Sequence, residues 1–553
     1  MLLIESIYTK LLTHPPEDEK KKSSSKTSKE IYKEEVIMAK LITAENAASL
    51  IKDRSTIAVC GFAQCALPEE VLQALEDRFT KTGYPQQLTL VHTAGIGDGV
   101  SKGASHFAHE GMLKRVIAGH YNLAPKLGKL VMDNKVEGYN LPQGTMAQWF
   151  RSIAGRKPGL FTRVGLNTFV DPRIEGGKLN SITKEDLVEV KELDGEEYLW
   201  YKPFPIDVAI VHGTCADLNG NVSTDNEEVR MELLPMALAA KASGGMVIVQ
   251  VETLAENRTI PPKHVVLPGI DVDYIVLSKV RQVQNPAYTG EMRMPLSQIP
   301  PMELNARKVI ARRAAMELVP NAVVNLGIGI PEGVSSVANE EGIGDQLTLT
   351  VEAGPIGGVP ASGADFGGSA NADAIVDHPY QFDFYDGGGL DMAFLGMAEC
   401  NAKGDVNVSK FKDRIAGCGG FINITQNTHK VVFCGTFTAK GLREEIRDGK
   451  LVITHEGAVQ KFIDKVGQIT FSAEYAHKHN QQVMFITERC VFVLTDKGLV
   501  LTEITPGVDL QKDILDQMEF VPHIAENLKT MDERLFRDEP MGLARDIFEQ
   551  QAG

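Results

Sequence analysis

The chain has no uninterrupted apolar run approaching the roughly 18 residues of a membrane span. It also has no basic excess, with a formal net charge of -16. The first absence argues against a membrane protein. The second argues against a duplex nucleic-acid binder, because neutralising phosphates takes a basic surface. It leaves room for an anionic ligand, which needs only a local cluster of donors. Cysteine is sparse and unpaired. Cys60, Cys65, Cys215, Cys400, Cys418, Cys434 and Cys490 are odd in number and lack CxxC spacing. That pattern fits reduced thiols in a cytoplasmic protein better than a disulfide framework or a zinc site. The first 37 residues lack the means to build a core, since Glu17 to Lys29 (EDEKKKSSSKTSK) is charged and Ser-rich. They lack the apolar segment and cleavage site of a secretory signal, and the arginines of an organellar transit peptide. Residues 1–37 therefore read as a disordered extension.

The remainder is ordinary globular sequence, 43% hydrophobic and 24% charged over a total of 553 residues, long enough for two or more domains. Its most informative feature is a repeat. Gln87 to Gly95 (QLTLVHTAG) aligns without a gap on Gln346 to Gly354 (QLTLTVEAG). Upstream of the first copy, a helical stretch from Ala44 to Ile51 leads to a strand from Thr56 to Cys60. Pro68-Glu69 then opens a helix with Val71, Leu72, Leu75 and Phe79 on one face. Upstream of the second, a helix from Ala306 to Leu318 leads to a strand from Ala322 to Leu326, and Pro331-Glu332 opens another helix. Proline and acids both suit a helix start. A second ungapped pair joins Ile206 to Val222 with Leu390 to Val406. Near-continuous apolar strands such as Met246 to Val251 and Lys430 to Phe433 fit burial on both faces. The fold expected is α/β: two homologous open α/β domains with largely parallel sheets, in tandem. The domains are placed at 38–290 and 304–553. The linker at 291–303 lies in a proline-rich stretch that breaks both periodicities.

One position breaks the repeat. Thr93 in the first copy corresponds to Glu352 in the second, at the end of an apolar strand and before Ala353-Gly354-Pro355-Ile356-Gly357-Gly358. Ligands of open α/β sheets bind beyond the carboxyl ends of the strands. A partly desolvated carboxylate there can act as a nucleophile. Pattern alone also allows an acid that caps a helix or faces solvent.

Four segments bear on that choice: Thr350 to Gly358 (TVEAGPIGG), Gln381 to Leu395 (QFDFYDGGGLDMAFL), Gly404 to Phe411 (GDVNVSKF) and Gly417 to Ile424 (GCGGFINI). Together they resemble the family I CoA-transferases, in particular the acetate/propionate branch, whose two domains are fused in one chain. The likeness extends from about Ala44 to Leu543 and includes Gln511 to Leu515 (QKDIL) and Met531 to Leu535 (MDERL). It implies a ping-pong exchange of coenzyme A between short-chain acyl-CoA and free carboxylates of the acetate, propionate or butyrate type, with Glu352 carrying a glutamyl-CoA thioester. An acyl-CoA thioesterase, with water as the acceptor, is the alternative.

The resemblance implies further roles. Gly419 and Gly420 would belong to a glycine-rich oxyanion and CoA-binding element, and the Gln143 amide, in Leu141-Pro142-Gln143-Gly144, would contribute to the site. Asn407 is a candidate ligand contact, although a strand-end Asn often bonds only to nearby backbone. Gly387 and Gly388, with Gly389, could line the acyl pocket or simply make a tight turn. Lys440 could meet a CoA phosphate. Coenzyme A is expected as substrate with no permanently bound cofactor, and the family implies a homotetramer or a smaller homo-oligomer.

Other signals point elsewhere. Gly327-Ile328-Gly329 departs from a dinucleotide fingerprint, because the next glycine is Gly333, and reads as a structural or CoA-lining turn. His106 and His109 lack a third ligand, so no metal site is assigned. Cys418 has no nearby His base and reads as a small buried thiol.

Overall fold

The computed structural model describes residues 39–282, 285–295, 301–361 and 363–546. The extension expected at 1–37 lies outside these residues, as does part of the linker, 296–300.

Both copies of the repeat form as read. In the first, Thr43 caps the helix Ala44–Leu50 by accepting from the Asn46 N–H, and the strand Thr56–Val59 follows. Helix Glu69–Thr82 then buries Val71, Leu72 and Leu75, with Phe79 packed against the same core. It ends at Gly83, whose φ of +75° is the left-handed conformation a glycine C-cap supplies. In the second, Asn305 caps the helix Ala306–Ala315 by accepting from the Lys308 N–H, and the strand Val323–Leu326 follows. The next helix, Gly333–Glu340, starts two residues after Pro331.

The duplication is plainest in strand order. In the first sheet five parallel neighbours run Tyr274–Leu277, Met246–Ala255, Val208–Asp217, Thr56–Val59, Leu88–His92. In the second, five parallel neighbours run Gln482–Ile486, Lys430–Cys434, Met392–Gly396, Val323–Leu326, Thr348–Thr350. The two lists correspond strand by strand, and the aligned segments Gln87 to Gly95 and Gln346 to Gly354 hold the same place in each. The fold is thus two α/β units in tandem.

The sheets differ in their margins. Beyond Leu88–His92 the first continues in parallel through Leu113–Ala118 and Glu137–Asn140. The second turns antiparallel at both margins, through Pro355–Ile356 and Ala374–Ile375 on one side and Cys490–Thr495 on the other. The central strands are buried on both faces, as parallel sheets require: Val208 to Val211 and Val431 to Phe433 are at most 1% exposed. Among the described residues, no helix is long and apolar enough to cross a membrane. Both sheets belong to one compact unit that starts at Ala39.

Candidate active site

Glu352 lies in a tight turn just beyond the carboxyl end of strand Thr348–Thr350. The turn closes when the Gly354 N–H donates to the Val351 carbonyl and the Val351 N–H donates to the Pro355 carbonyl. Gly354 takes φ +126°, and a β-carbon there would meet the Val376 carbonyl at 2.2 Å, so only glycine fits. Glu352 itself keeps a half-buried edge, but its carboxyl is surrounded by protein. Burial pushes the acid up to about 7, against the pull of His378 and of the Gln143 amide. Both protonation states are therefore accessible near neutral pH.

The GCGG turn packs directly on this carboxyl. A β-carbon on Gly420 would stand 2.7 Å from Glu352 Oε2 and 3.0 Å from Phe382 Cζ. The turn is tied to the first half of the chain. The Cys418 N–H donates to Asn140 Oδ1, the Gly419 N–H to the Gly119 carbonyl, and the Phe421 N–H to the Cys418 carbonyl. That corrects one expectation: the Gly419 N–H is already engaged, and Gly420 is left as the turn's remaining backbone donor. Cys418 is buried, and desolvation with the Glu352 charge drives its thiol far above the ordinary range. It is an inert packing group.

Gln143 comes from the other half. It is the first residue of helix Gln143–Ala154, 1% exposed, and its backbone N–H donates to the Gly419 carbonyl. Its side-chain amide lies close enough to Glu352 to hold that acid down. The Leu141-Pro142-Gln143-Gly144 motif thus brings an amide from one sheet's periphery onto a carboxylate at the end of the other.

The remaining candidates do not join this cluster. Asn407 Nδ2 donates to Glu399 Oε2 and to the Lys410 carbonyl, while its Oδ1 accepts from the Ser409 N–H. Its amide is spent on its own turn, as strand-end Asn residues commonly are. Gly387 and Gly388 end helix His378–Asp386, where their N–H groups donate to the carbonyls of Asp383 and Tyr385. They serve as a helix C-cap. Lys440 is exposed, in the left-handed conformation, beside the two-residue strand Thr438–Ala439. His106 contacts Glu69 at 2.9 Å and Glu76 at 2.6 Å, and His109 contacts Glu76 at 2.6 Å. Both rings are held by carboxylates, and no His/Cys/Asp/Glu group that could hold a metal occurs among the described residues.

Two residues that sequence reading missed stand behind Gln143. His378, fully buried at the start of its helix, has Nε2 2.9 Å from Gln143 Nε2. Its Nδ1 lies 2.7 Å from Oε2 of Glu232, which is also fully buried. The available signal was weak: each sits at a helix start, three residues before the QFDFYDGGG run and just before Leu233 respectively. A cavity of about 490 Å³ opens over the turn from Gly329 to Gly333, with Arg307, Glu332, Val359 and Pro360 in its wall.

A buried acid of raised pKa at the carboxyl end of a parallel strand gives this α/β fold a candidate active site of the kind an α/β enzyme carries. Comparison with known proteins makes the class specific. A family model described as coenzyme A transferase matches residues 41–278. The chain is 49% identical to caffeate CoA-transferase of Acetobacterium woodii over 519 residues, covering 92% of this chain and 99% of that protein. It is 43% identical to the acetate CoA-transferase YdiF of Escherichia coli K12, over 91% of this chain and 96% of that one. The crystal structure of the acyl-CoA transferase YdiF of E. coli O157:H7, a thioester complex with CoA, superposes with a TM-score of 0.87 at 42% identity. It covers 91% of this chain and 97% of that chain. The protein belongs to the coenzyme A transferase family, and it is a CoA-transferase.

Proposed function

We propose that the enzyme exchanges coenzyme A between a short-chain acyl-CoA and a free carboxylate by a ping-pong route through Glu352. The observation that carries this reading is the desolvated carboxyl of Glu352, faced by Gly420 and by the Gln143 amide. A Glu352 oxygen attacks the acyl carbonyl and the C–S bond breaks, leaving an acyl-glutamyl anhydride and CoA thiolate. The thiolate attacks the glutamyl carbonyl, the first carboxylate leaves, and a glutamyl-CoA thioester remains. An incoming carboxylate runs the steps in reverse. The anhydride and the thioester are both uncharged at Glu352, so each relieves a charge that burial disfavours. Every step passes through a tetrahedral oxyanion, for which the Gln143 side-chain amide and the Gly420 N–H are the candidate donors. The thioester complex described for the E. coli relative supports the same chemistry. The cavity over Gly329 to Gly333, with Arg307 at its wall, offers room and one cation for part of the CoA moiety.

The test is direct. Incubation with acetyl-CoA should add one CoA to Glu352, trappable by borohydride or hydroxylamine and located by mass spectrometry. A Glu352→Ala variant with full activity, or the absence of any adduct on Glu352, would overturn the assignment. The likeness to a caffeate CoA-transferase favours a second acceptor class, an aryl-substituted unsaturated acid. A panel running from acetate to butyrate, with cinnamate-type acids alongside, ranks the acceptors by kcat/KM. CoA release without any acceptor would instead mark a thioesterase.

A further inference from the structure

The duplicated fold has a second copy of the active-site position, and that copy is wired to the first. Three places correspond between the halves. Thr93 is the repeat partner of Glu352. Glu232 is the N-cap of helix Leu233–Ala242, the last helix before strand Met246–Ala255. Its counterpart is Gly420, N-cap of helix Phe421–Asn427, the last helix before strand Lys430–Cys434. Gln143 and His378 each open the last helix before the matching strands Val208–Asp217 and Met392–Gly396. Around Glu352 stand Gly420 from its own half and Gln143 from the other. Around Thr93 stand Glu232 from its own half and, one contact further, His378 from the other. The two clusters meet where Gln143 and His378 touch.

The second cluster forms a continuous line of buried polar contacts. Thr93 Oγ1 donates to Glu232 Oε1 at 2.6 Å. Glu232 Oε2 and His378 Nδ1 are 2.7 Å apart, outside ideal hydrogen-bond alignment, and neither atom has another hydrogen-bond partner. His378 Nε2 then faces Gln143 Nε2 at 2.9 Å. A carboxylate oxygen facing Nδ1 keeps the imidazole proton on that nitrogen. With the proton on Nδ1, Nε2 is the acceptor for the Gln143 amide that faces it. Glu232 thus selects the tautomer of His378, and that tautomer selects the orientation of the Gln143 amide. With one N–H held by His378, the NH2 end faces Glu352; the flipped amide would turn its carbonyl oxygen toward the nucleophile and its oxyanion.

We propose that Glu232 and His378, braced by Thr93, are positioning residues that fix the Gln143 amide with its second N–H toward the reacting centre. The degenerate twin of the active site has become the support of the functional one. The proposal rests on reading Glu352 as the nucleophile and Gln143 as a donor to its oxyanion.

The test is a double-mutant cycle on Glu232→Gln and Gln143→Ala. A glutamine at 232 can donate to His378 Nδ1, which moves the proton to Nε2 and favours the flipped Gln143. Glu232→Gln alone should lower kcat by about 10- to 100-fold, part of the roughly 100- to 1,000-fold that loss of one oxyanion donor costs. KM for acetyl-CoA should stay within about threefold, because the donor acts in the transition state. In the Gln143→Ala background the same substitution should cost less than about threefold more, since no amide remains to orient. Loss of the full factor in both backgrounds, or wild-type turnover by Glu232→Gln, overturns the proposal. Thr93→Val is a milder probe of the same line and decides the question if Glu232→Gln does not fold. It should lower kcat about three- to tenfold, and only while Gln143 is present. Failure of the nucleophile assignment is distinguishable, because the wild-type enzyme would then carry no CoA on Glu352 whatever the variants do.

Discussion

The Cα–Cβ direction of Gly420 runs into the Glu352 carboxyl: a β-carbon would stop 2.7 Å from Oε2. Gly420 has φ -81°, which alanine adopts without strain. Gly420→Ala should therefore fold while losing kcat by about 100-fold or more, through displacement of the Glu352 carboxyl by roughly an ångström. Gly419 is the reverse case. Its φ of +51° is left-handed, yet a β-carbon there finds its nearest neighbour at 3.7 Å. Gly419→Ala should cost about 1 kcal/mol of stability and far less activity. Activity and thermal unfolding of the two variants, measured side by side, separate crowding from strain.

Gln143 reaches Glu352 from the other half of the chain and is the proposed donor to its oxyanion. Gln143→Ala should lower kcat about 100- to 1,000-fold with KM little changed, as for loss of an oxyanion-hole amide. The glutamyl-CoA adduct should still form, slowly, in single-turnover experiments followed by mass spectrometry. Parallel falls in kcat and rises in KM would assign Gln143 to ground-state binding instead.

The raised acid of Glu352 has two consequences of opposite value. The proposed route needs the carboxylate, so kcat/KM for the acyl donor should fall tenfold per unit of pH below about 7, with an apparent pKa close to that value. Stability responds the other way. The folded acid holds its proton up to about 7 against an ordinary 4.5, so native protein binds more protons than unfolded protein between these values. Stability is then lost as pH rises through that window. Glu352→Gln removes the penalty and should stabilise the protein by up to about 3 kcal/mol at pH 8, with the gain vanishing below about pH 4.5. Denaturant titrations of the two proteins at both pH values check it.

How far the site was legible follows from how the repeat was built. The strand and turn around Glu352 kept their length in both halves, so the nine-residue match survived without a gap and exposed the exchange of Thr93 for Glu352. Parallel strands covered on both faces also left short continuous apolar runs that stand out in the sequence. The helix starts carrying Gln143, Glu232 and His378 follow segments of unequal length; the hairpin Val188–Leu193 with Glu196–Tyr201 lies between Gln143 and its strand, with no equivalent after His378. Equivalence there shows only in the sheet order. Asn407 and the pair Gly387 and Gly388 stand apart from the Glu352 cluster for a simpler reason. Asn and Gly near a site are also the residues that close turns and cap helices, and in these places they do that.

His212 offers a prediction away from the nucleophile. It lies on strand Val208–Asp217, fully buried, with Glu227 3.0 Å from Nδ1 and Glu252 2.9 Å from Nε2. Burial alone would push the imidazole down, but the two carboxylates outweigh it and raise it to about 9 from 6.5. A raised base stabilises the fold fully below its unfolded pKa and loses that contribution as pH climbs through the folded value. The charged ring thus supports the structure at pH 6 and has largely ceased to do so by pH 9.5. His212→Gln keeps hydrogen-bonding capacity but carries no charge, and it leaves two acids facing each other across a neutral amide. Its destabilisation should be largest near pH 6 and shrink by about 3 kcal/mol on going to pH 10. Unfolding free energies of the variant and the parent, compared across that range, decide the matter: a constant gap would mean that His212 is neutral in the folded enzyme throughout.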